Sequence, residues 1–388
     1  MEFNLPPPRI QKEQLARNWK VYFLLAVLGG VGGYWLARHG LILVLSSDRG
    51  VSGLWTFLLI PPLWFLAVGI HEFGHLVGGW LIGGRFLMWV VGPIKVIRTP
   101  EGLNLGWNRS VNLAGGLSGC LPLDHHQLTP PKFILMVLGG PLSSAILAIL
   151  LWVLANAISA GTDPSKHGNA DWAAILRLGS ILSGAILVAT GIPATVGGFK
   201  TDGRRIWDLL RGGRRSIQEM ALMSLTTQGL AGVRPAHWDP ELVQRSLSLK
   251  DNSLFDIYAH LNAYYHAADR QSWDVAQAHL DHLIAHEAQL VPMIQDTARC
   301  EYAWMVAVRS GNAIVSKAWL DSAGKLDFDP ATRLRAEAAV LLVEGRKSDA
   351  INKVLEGLAA LETRSMSPVR SPFAADELQR LLAAASSS

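Results

Sequence analysis

Leu66-Ala67-Val68-Gly69-Ile70-His71-Glu72-Phe73-Gly74-His75-Leu76-Val77-Gly78-Gly79-Trp80 places three ionisable side chains inside an apolar run that extends over residues 53–82. Positions i and i+4 share one face of a helix, so His71 and His75 can present both imidazoles to one metal ion. Glu72, beside the first ligand, suits a general base acting on a metal-activated water. Ionisable groups in an apolar span are expensive, and by default they mark a functional site. The expectation is a hydrolytic metal centre lying within a bilayer.

The rest of the chain divides into two parts. Its 388 residues leave room for two domains, half of them are hydrophobic, and only 17% are charged. The long apolar runs fall within residues 20–200, whereas 215–388 reads as a soluble helical chain. The net charge of +4 comes from basic residues clustered at the ends of the apolar runs, which argues for a lipid bilayer as partner and against nucleic acid. Cys120 and Cys300 stand alone, without a CxxC pair. A disulfide framework and thiol catalysis are therefore not expected. Residues 1–20 are polar and proline-containing and lead into an apolar run without a small-residue cleavage site. A retained first span is expected there rather than a cleaved signal peptide.

A helix crosses the hydrocarbon layer with about 20 apolar residues. Four segments have that length: 21–45, with Arg38 and His39 near its far end, 53–82, 133–160, and 173–198, with Arg177 near its start. Lys and Arg concentrate before the first segment, between the second and third, and after the fourth. The positive-inside bias then puts both termini and the central loop in the cytoplasm. Within that loop, residues 86–91 and 94–97 are β-prone, with Gly92-Pro93 between them and a turn signal at Pro100-Glu101-Gly102. A hairpin or re-entrant segment is expected, whose exposed edge could receive an extended substrate. The fold class read from these features is an all-α polytopic membrane protein of about four transmembrane helices with a small β-hairpin, plus a cytoplasmic α-helical repeat domain. The boundaries are 1–20 for a cytoplasmic segment, 21–212 for the membrane domain, 213–382 for the repeats and 383–388 for a disordered tail.

Two histidines are too few for a catalytic metal, which takes three protein ligands plus water. Asp202, just after the fourth apolar segment, is one candidate for the third ligand, although an Asp before a helix is commonly a cap. Asp124, His125 and His126 in the central loop are the other, although adjacent histidines point in different directions.

His71-Glu72-Phe73-Gly74-His75 in an apolar helix, Gly140-Pro141 early in a later span, and Asp202-Gly203 after the last span resemble the site-2 protease family of intramembrane zinc metalloproteases. The order of the motifs and the intervening β-prone segment match as well, and the resemblance covers roughly residues 53–210. It implies a zinc cofactor held by His71, His75 and Asp202, with Glu72 as general base. It also implies an endopeptidase acting on transmembrane or membrane-proximal protein substrates. The expected setting is multi-pass, in a bacterial cell membrane, with the active site toward the cytoplasm. Three departures stand out. Ser143 and Ser144 follow the Gly-Pro where the family often has an asparagine. Thr190 precedes Pro193 where an asparagine is often found. Asp202 lies nine positions after Pro193, more than is usual. The serine and threonine hydroxyls can still donate hydrogen bonds to substrate or oxyanion. The rival readings are a catalytically impaired pseudoprotease and a membrane-tethered adaptor acting through its tail.

After Arg215 amphipathic helices take over, with turn signals at 269–272, 310–312 and 344–348. That spacing suggests stacked helix pairs similar to tetratricopeptide-like repeats, a class that binds protein segments. A cytoplasmic protein partner is expected there. Alanines such as Ala276, Ala336, Ala338 and Ala350 suit close helix packing. His279, His282 and His286 share a helical face, read as a solvated face rather than a metal trio.

Overall fold

The computed structural model describes residues 3–8, 53–99, 102–108, 115–122, 124, 126, 128–160, 167–196, 199–290, 292–326, 329–363 and 371–387. The expected first span, 21–45, lies outside the described residues, as do His125 and Gly197-Gly198. The chain is mostly helical with a small antiparallel sheet.

Helix α1 (Gly53–Leu81) carries the histidine pair and absorbs Pro61 and Pro62 within its length. The sheet follows: β1 (Arg85–Val91), β2 (Ile94–Thr99), β3 (Gly102–Trp107) and β4 (Leu117–Leu121), antiparallel throughout, in the order β3-β2-β1-β4. The expected hairpin is thus β1–β2, turning at Gly92, whose φ of 53° needs a residue free of Cβ. The all-α reading is corrected by β3 and β4. Their short, Gly-containing sequences gave no strand signal, and pairing with β1 and β2 supplies what their propensity lacks. The sheet rests on α1 through Trp89, whose indole donates to the Gly69 carbonyl at 3.3 Å.

Helices α2 (Pro130–Ala160) and α3 (His167–Gly191) contain the two segments long and apolar enough to cross a membrane among the described residues. Much of α2's apolar surface faces outward, with Ile149 64% exposed beside Ile146 and Val153, as suits a lipid-facing helix. Arg177 does not stand alone in α3: its guanidinium donates to Ser159 Oγ of α2 at 3.0 Å. The helix ends at Gly191, short of the expected 198, and Pro193 cannot continue it. The extra residues before Asp202 include a small hairpin, β5 (Thr195–Val196) and β6 (Phe199–Lys200).

Helix α4 (Asp202–Arg211) begins against the end of α3, where a Cβ on Gly203 would collide with the Gly191 carbonyl. Helices α5 (Gly213–Leu230) and α6 (Pro240–Ser246) lead into three helical hairpins: α7 (Leu254–Asp269) with α8 (Trp273–Ala285), α9 (Pro292–Ser310) with α10 (Ala313–Ser322), and α11 (Pro330–Val343) with α12 (Lys347–Thr363). Their turns fall at the three expected places, each with a residue of positive φ: Gln271, Gly311 and Gly345. Ala276, Ala336, Ala338 and Ala350 are buried in or beside the interface core. Helix α13 (Ser371–Ser386) closes the chain. Residues 383–386, expected to be disordered, form its last turn, with Ala385 buried.

Candidate metal centre

The site begins with a helix crossing at which glycine faces glycine. A Cβ on Gly74 would strike the Gly139 carbonyl, and one on Gly139 would strike the Gly74 carbonyl. Small residues at such a crossing let two apolar helices approach backbone to backbone. The close approach brings His71 and His75 of α1 against Gly140 of α2. A Cβ at Gly140 would collide with Nε2 of His75 and lie 2.8 Å from Nε2 of His71. Gly140 therefore provides the space in which both nitrogens sit.

Helix α2 also aims the two rings. The carbonyl of Met136 lies 3.2 Å from His75 Nδ1, and a carbonyl can only accept, so Nδ1 carries the proton and Nε2 keeps its lone pair. Ser144 Oγ lies 2.9 Å from His71 Nδ1 and can take the same part. Ser144 is held in turn by Ser183 of α3, which donates to its carbonyl at 2.9 Å. A ring partner of this kind sets the tautomer in metal-binding histidines. The Ser143 hydroxyl donates to the carbonyls of Ile70 and Gly140 at 3.0 and 2.8 Å. The two serines thus brace the α1–α2 crossing. Thr190 Oγ1 is enclosed without a hydrogen-bond partner among the described residues.

The third group arrives on α4. Thr201 caps that helix: its hydroxyl donates to the Ile192 carbonyl at 2.7 Å and accepts from Arg204 N at 3.2 Å. Asp202 is therefore the first helical residue rather than the cap. Its Oδ2 lies 3.1 Å from His71 Nε2 and 3.5 Å from His75 Nε2. Ligand atoms of the three residues all lie within 4.8 Å of one another. Two imidazole lone pairs and a carboxylate oxygen converging on one point repel unless a cation lies among them. Two nitrogens and one oxygen are also the donor set that suits zinc while leaving a fourth position open. The residues fit the ion.

Asp124 and His126, the other candidates for the third ligand, are exposed at a turn where His126 N donates to Asp124 Oδ1 at 2.9 Å, and neither joins the cluster. Glu72 points toward the sheet. Its Oε2 accepts from Ser118 Oγ of β4 at 2.5 Å, and a Cβ on Gly116 would lie 2.6 Å from Oε1. The tight loop before β4 and the edge strand thus seat the carboxylate beside the histidines. Sequence reasoning missed Ser118, because nothing in its surroundings marked β4 as a strand. A cavity of about 830 Å³, lined by Phe73, Leu76 and Trp80, opens on the other face of α1 and takes no part in this cluster. Both cysteines are buried and free, and burial pushes the Cys120 and Cys300 thiols up to about 11 and about 12, so neither is a nucleophile.

His279, His282 and His286 do not form a solvated face. They meet His260 of α7: His282 stacks on it at 3.7 Å, and the Nδ1 atoms of His279 and His260 are 3.0 Å apart. The hairpin interface shelters these rings.

No protein-family model matches the chain, and no solved structure does. Among curated proteins the chain is similar to the "Putative zinc metalloprotease Rip2" of Mycolicibacterium smegmatis, 26% identical over 184 residues. That match covers 45% of this chain and 66% of the relative's length, just under two thirds. That relative is named for zinc, and the donor set of His71, His75 and Asp202 fits the same ion.

Proposed function

We propose that the chain is an intramembrane zinc metalloendopeptidase of site-2-protease type. The observation that carries this reading is the arrival of Asp202, 127 positions after His75, at contact distance from both histidines, with Glu72 next to the pair. His71, His75 and Asp202 would hold zinc. When bound, zinc supplies a Lewis acid that polarises a peptide carbonyl and makes water a nucleophile near neutral pH. The chain supplies the proton transfer. Glu72 accepts the proton of the attacking water and returns it to the leaving amine. Ser118 occupies one carboxylate oxygen, leaving the other, beside Gly116, to work. The substrate is a transmembrane or membrane-proximal protein segment, presented as an extended strand.

The membrane arrangement has support of its own. Besides α2 and α3, α1 is 29 residues long and apolar apart from its functional groups. Residues 3–8 dock on α9 and α10, so the N-terminal segment and the helical domain lie on the same side of any membrane. That needs an even number of crossings. Four spans, the number read from the apolar runs of the sequence, meet that parity. The Lys and Arg pattern makes the shared side the cytoplasm.

The test uses protein purified in detergent, with zinc counted per chain and cleavage of an unfolded reporter followed in parallel. The wild type should hold one zinc and cleave. Glu72→Gln should hold zinc without cleaving. His75→Ala and Asp202→Ala should lose both. Full cleavage by Glu72→Gln would remove Glu72 as the general base, and absence of cleavage by the wild type would favour an adaptor. Zinc retained at full occupancy in Asp202→Ala would reduce Asp202 to a structural residue.

A further inference from the structure

The N-terminal residues Phe3-Asn4-Leu5-Pro6-Pro7-Pro8 lie, outside any helix or strand, against the α9–α10 hairpin, almost the whole chain away in sequence. The contacts repeat every three residues. Phe3 and Pro6 are partly buried, whereas Asn4, Leu5, Pro7 and Pro8 are exposed. The two carbonyls that are bonded, Asn4 and Pro7, are also three apart: Asn4 accepts from Trp319 Nε1 at 2.8 Å and Pro7 from Arg299 Nη2 at 3.1 Å. Three residues per turn is the period of a polyproline II helix, in which every third residue presents the same face.

The receiving surface matches such a ligand chemically. Prolines have no N–H, so a proline-rich strand offers chiefly acceptors. Trp319 and Arg299 are donors only. Phe3 meets the Tyr302 ring edge-on at 5.9 Å, and Tyr302 stacks on Trp319 at 4.1 Å. The domain holds each of these groups in place by itself. Asp281 accepts from the Tyr302 hydroxyl at 2.6 Å, and Glu287 binds the Arg299 guanidinium through both oxygens. Because Glu287 already neutralises Arg299, the site suits a neutral carbonyl rather than a phosphate. Arg299 Nη1 is fully enclosed and has no partner among the described residues, so the guanidinium retains a donor. A rigid, aromatic-lined surface with a tryptophan N–H aimed at a peptide carbonyl is how proline-rich segments are recognised at low entropic cost.

We propose that the α9–α10 face of the helical domain is a recognition site for an extended segment of the pattern aromatic-x-x-Pro, and that residues 3–8 of this chain are its resident ligand. The segment binds in cis, so a free peptide has to compete with an intramolecular ligand. A protein carrying the same pattern would have to displace the N-terminus, which would release the end of the chain from the tail. The inference does not rest on hydrolysis, and it stands or falls separately from the zinc site.

The test uses the full chain in detergent and a fluorescent peptide of residues 1–10 as probe, with binding read by anisotropy. A chain carrying Phe3→Ala, Pro6→Gly and Pro7→Gly, its cis ligand disabled, should bind the peptide saturably. The wild-type chain should bind it at least tenfold more weakly. Adding Trp319→Phe, which keeps a ring and removes the N–H, should weaken binding to the disabled chain about tenfold. The same peptide with serine for each proline should not bind. Hydrogen exchange gives a second reading that needs no substitution: deleting residues 2–8 should cost the Trp319 region its protection, and adding the peptide with its prolines intact should restore it. Absence of saturable binding to the disabled chain, or binding indifferent to Trp319→Phe and to the loss of the prolines, would overturn the proposal. So would exchange that the deletion leaves unchanged.

Discussion

Replacing Gly140 with alanine tests the metal centre where its geometry is tightest. The new Cβ would collide with His75 Nε2 and lie 2.8 Å from His71 Nε2, whereas ordinary van der Waals contact begins near 3.4 Å. The His75 ring must therefore retreat by about 1 Å, several times the tolerance of roughly 0.2 Å on a metal–ligand bond. The backbone gains from the same change, since alanine is about 1 kcal/mol better than glycine inside a helix. The two effects separate cleanly: zinc affinity should fall at least 100-fold, while thermal unfolding of the zinc-free protein stays level or rises. Chelator competition measures the first, and a melting curve taken in excess chelator measures the second. Gly74→Ala is the contrast, because its Cβ meets the Gly139 backbone and the Ser143 hydroxyl rather than the two histidine rings. That variant should lose the α1–α2 crossing and melt early. If Gly140→Ala binds zinc like the wild type, the two Nε2 atoms do not form the site, and the reasoning fails at its first step.

Ser144→Ala removes the partner of His71 Nδ1 and should cost 10- to 100-fold in zinc affinity, read by the same competition, with little change in the zinc-free melt. In the helical domain, Glu301 accepts from Tyr264 and Tyr265, both at 2.7 Å, and pairs with the buried Arg335. Glu301→Ala strands that guanidinium and should destabilise the domain by about 3–5 kcal/mol, a drop of roughly 10 °C in melting temperature. Acid should weaken the same domain by another route. Burial, then neighbouring imidazoles, push His260 down to about 3 and His279 down to about 4, and lower His282, which Asp256 partly offsets. These rings stay neutral in the folded chain and charge near 6.5 once unfolded, so stability is full above pH 6.5 and falls between 6.5 and about 4. A melting series across that window should show the decline, and a flatter one in His260→Gln. A flat wild-type profile would contradict the sheltering of the cluster.

What the sequence disclosed depended on how local the signal was. The i, i+4 spacing of His71 and His75 is a property of one helix and could be read directly. The three tail turns were legible for the same reason, since chain reversal is a local event. Asp202 was different: its residue type and place fitted both a cap and a ligand, and only the β5–β6 hairpin, which absorbs the unusual spacing after Pro193, decides where it lands. Strands β3 and β4 and the partners Ser118 and Ser144 depend on pairing between distant segments, which no local pattern encodes. The histidines of α8 were read on one face of one helix, and their actual neighbour, His260, comes from another. The docked N-terminus lay further still from any local pattern, because it joins residues 4 and 319.

The order in which the ligands occur along the chain carries a biosynthetic consequence. His71 and His75 emerge from the ribosome 127 or more residues ahead of Asp202, an interval of roughly 6–25 s at ordinary elongation rates. Throughout that time the nascent chain has two imidazoles and a glutamate in place but no third group to hold an ion. The remaining ligand is delivered on α4, after every long apolar helix has been made. Were the proposed hydrolysis this chain's activity, assembly in this order would keep it inert among the other nascent chains around it until the last long apolar helix is complete.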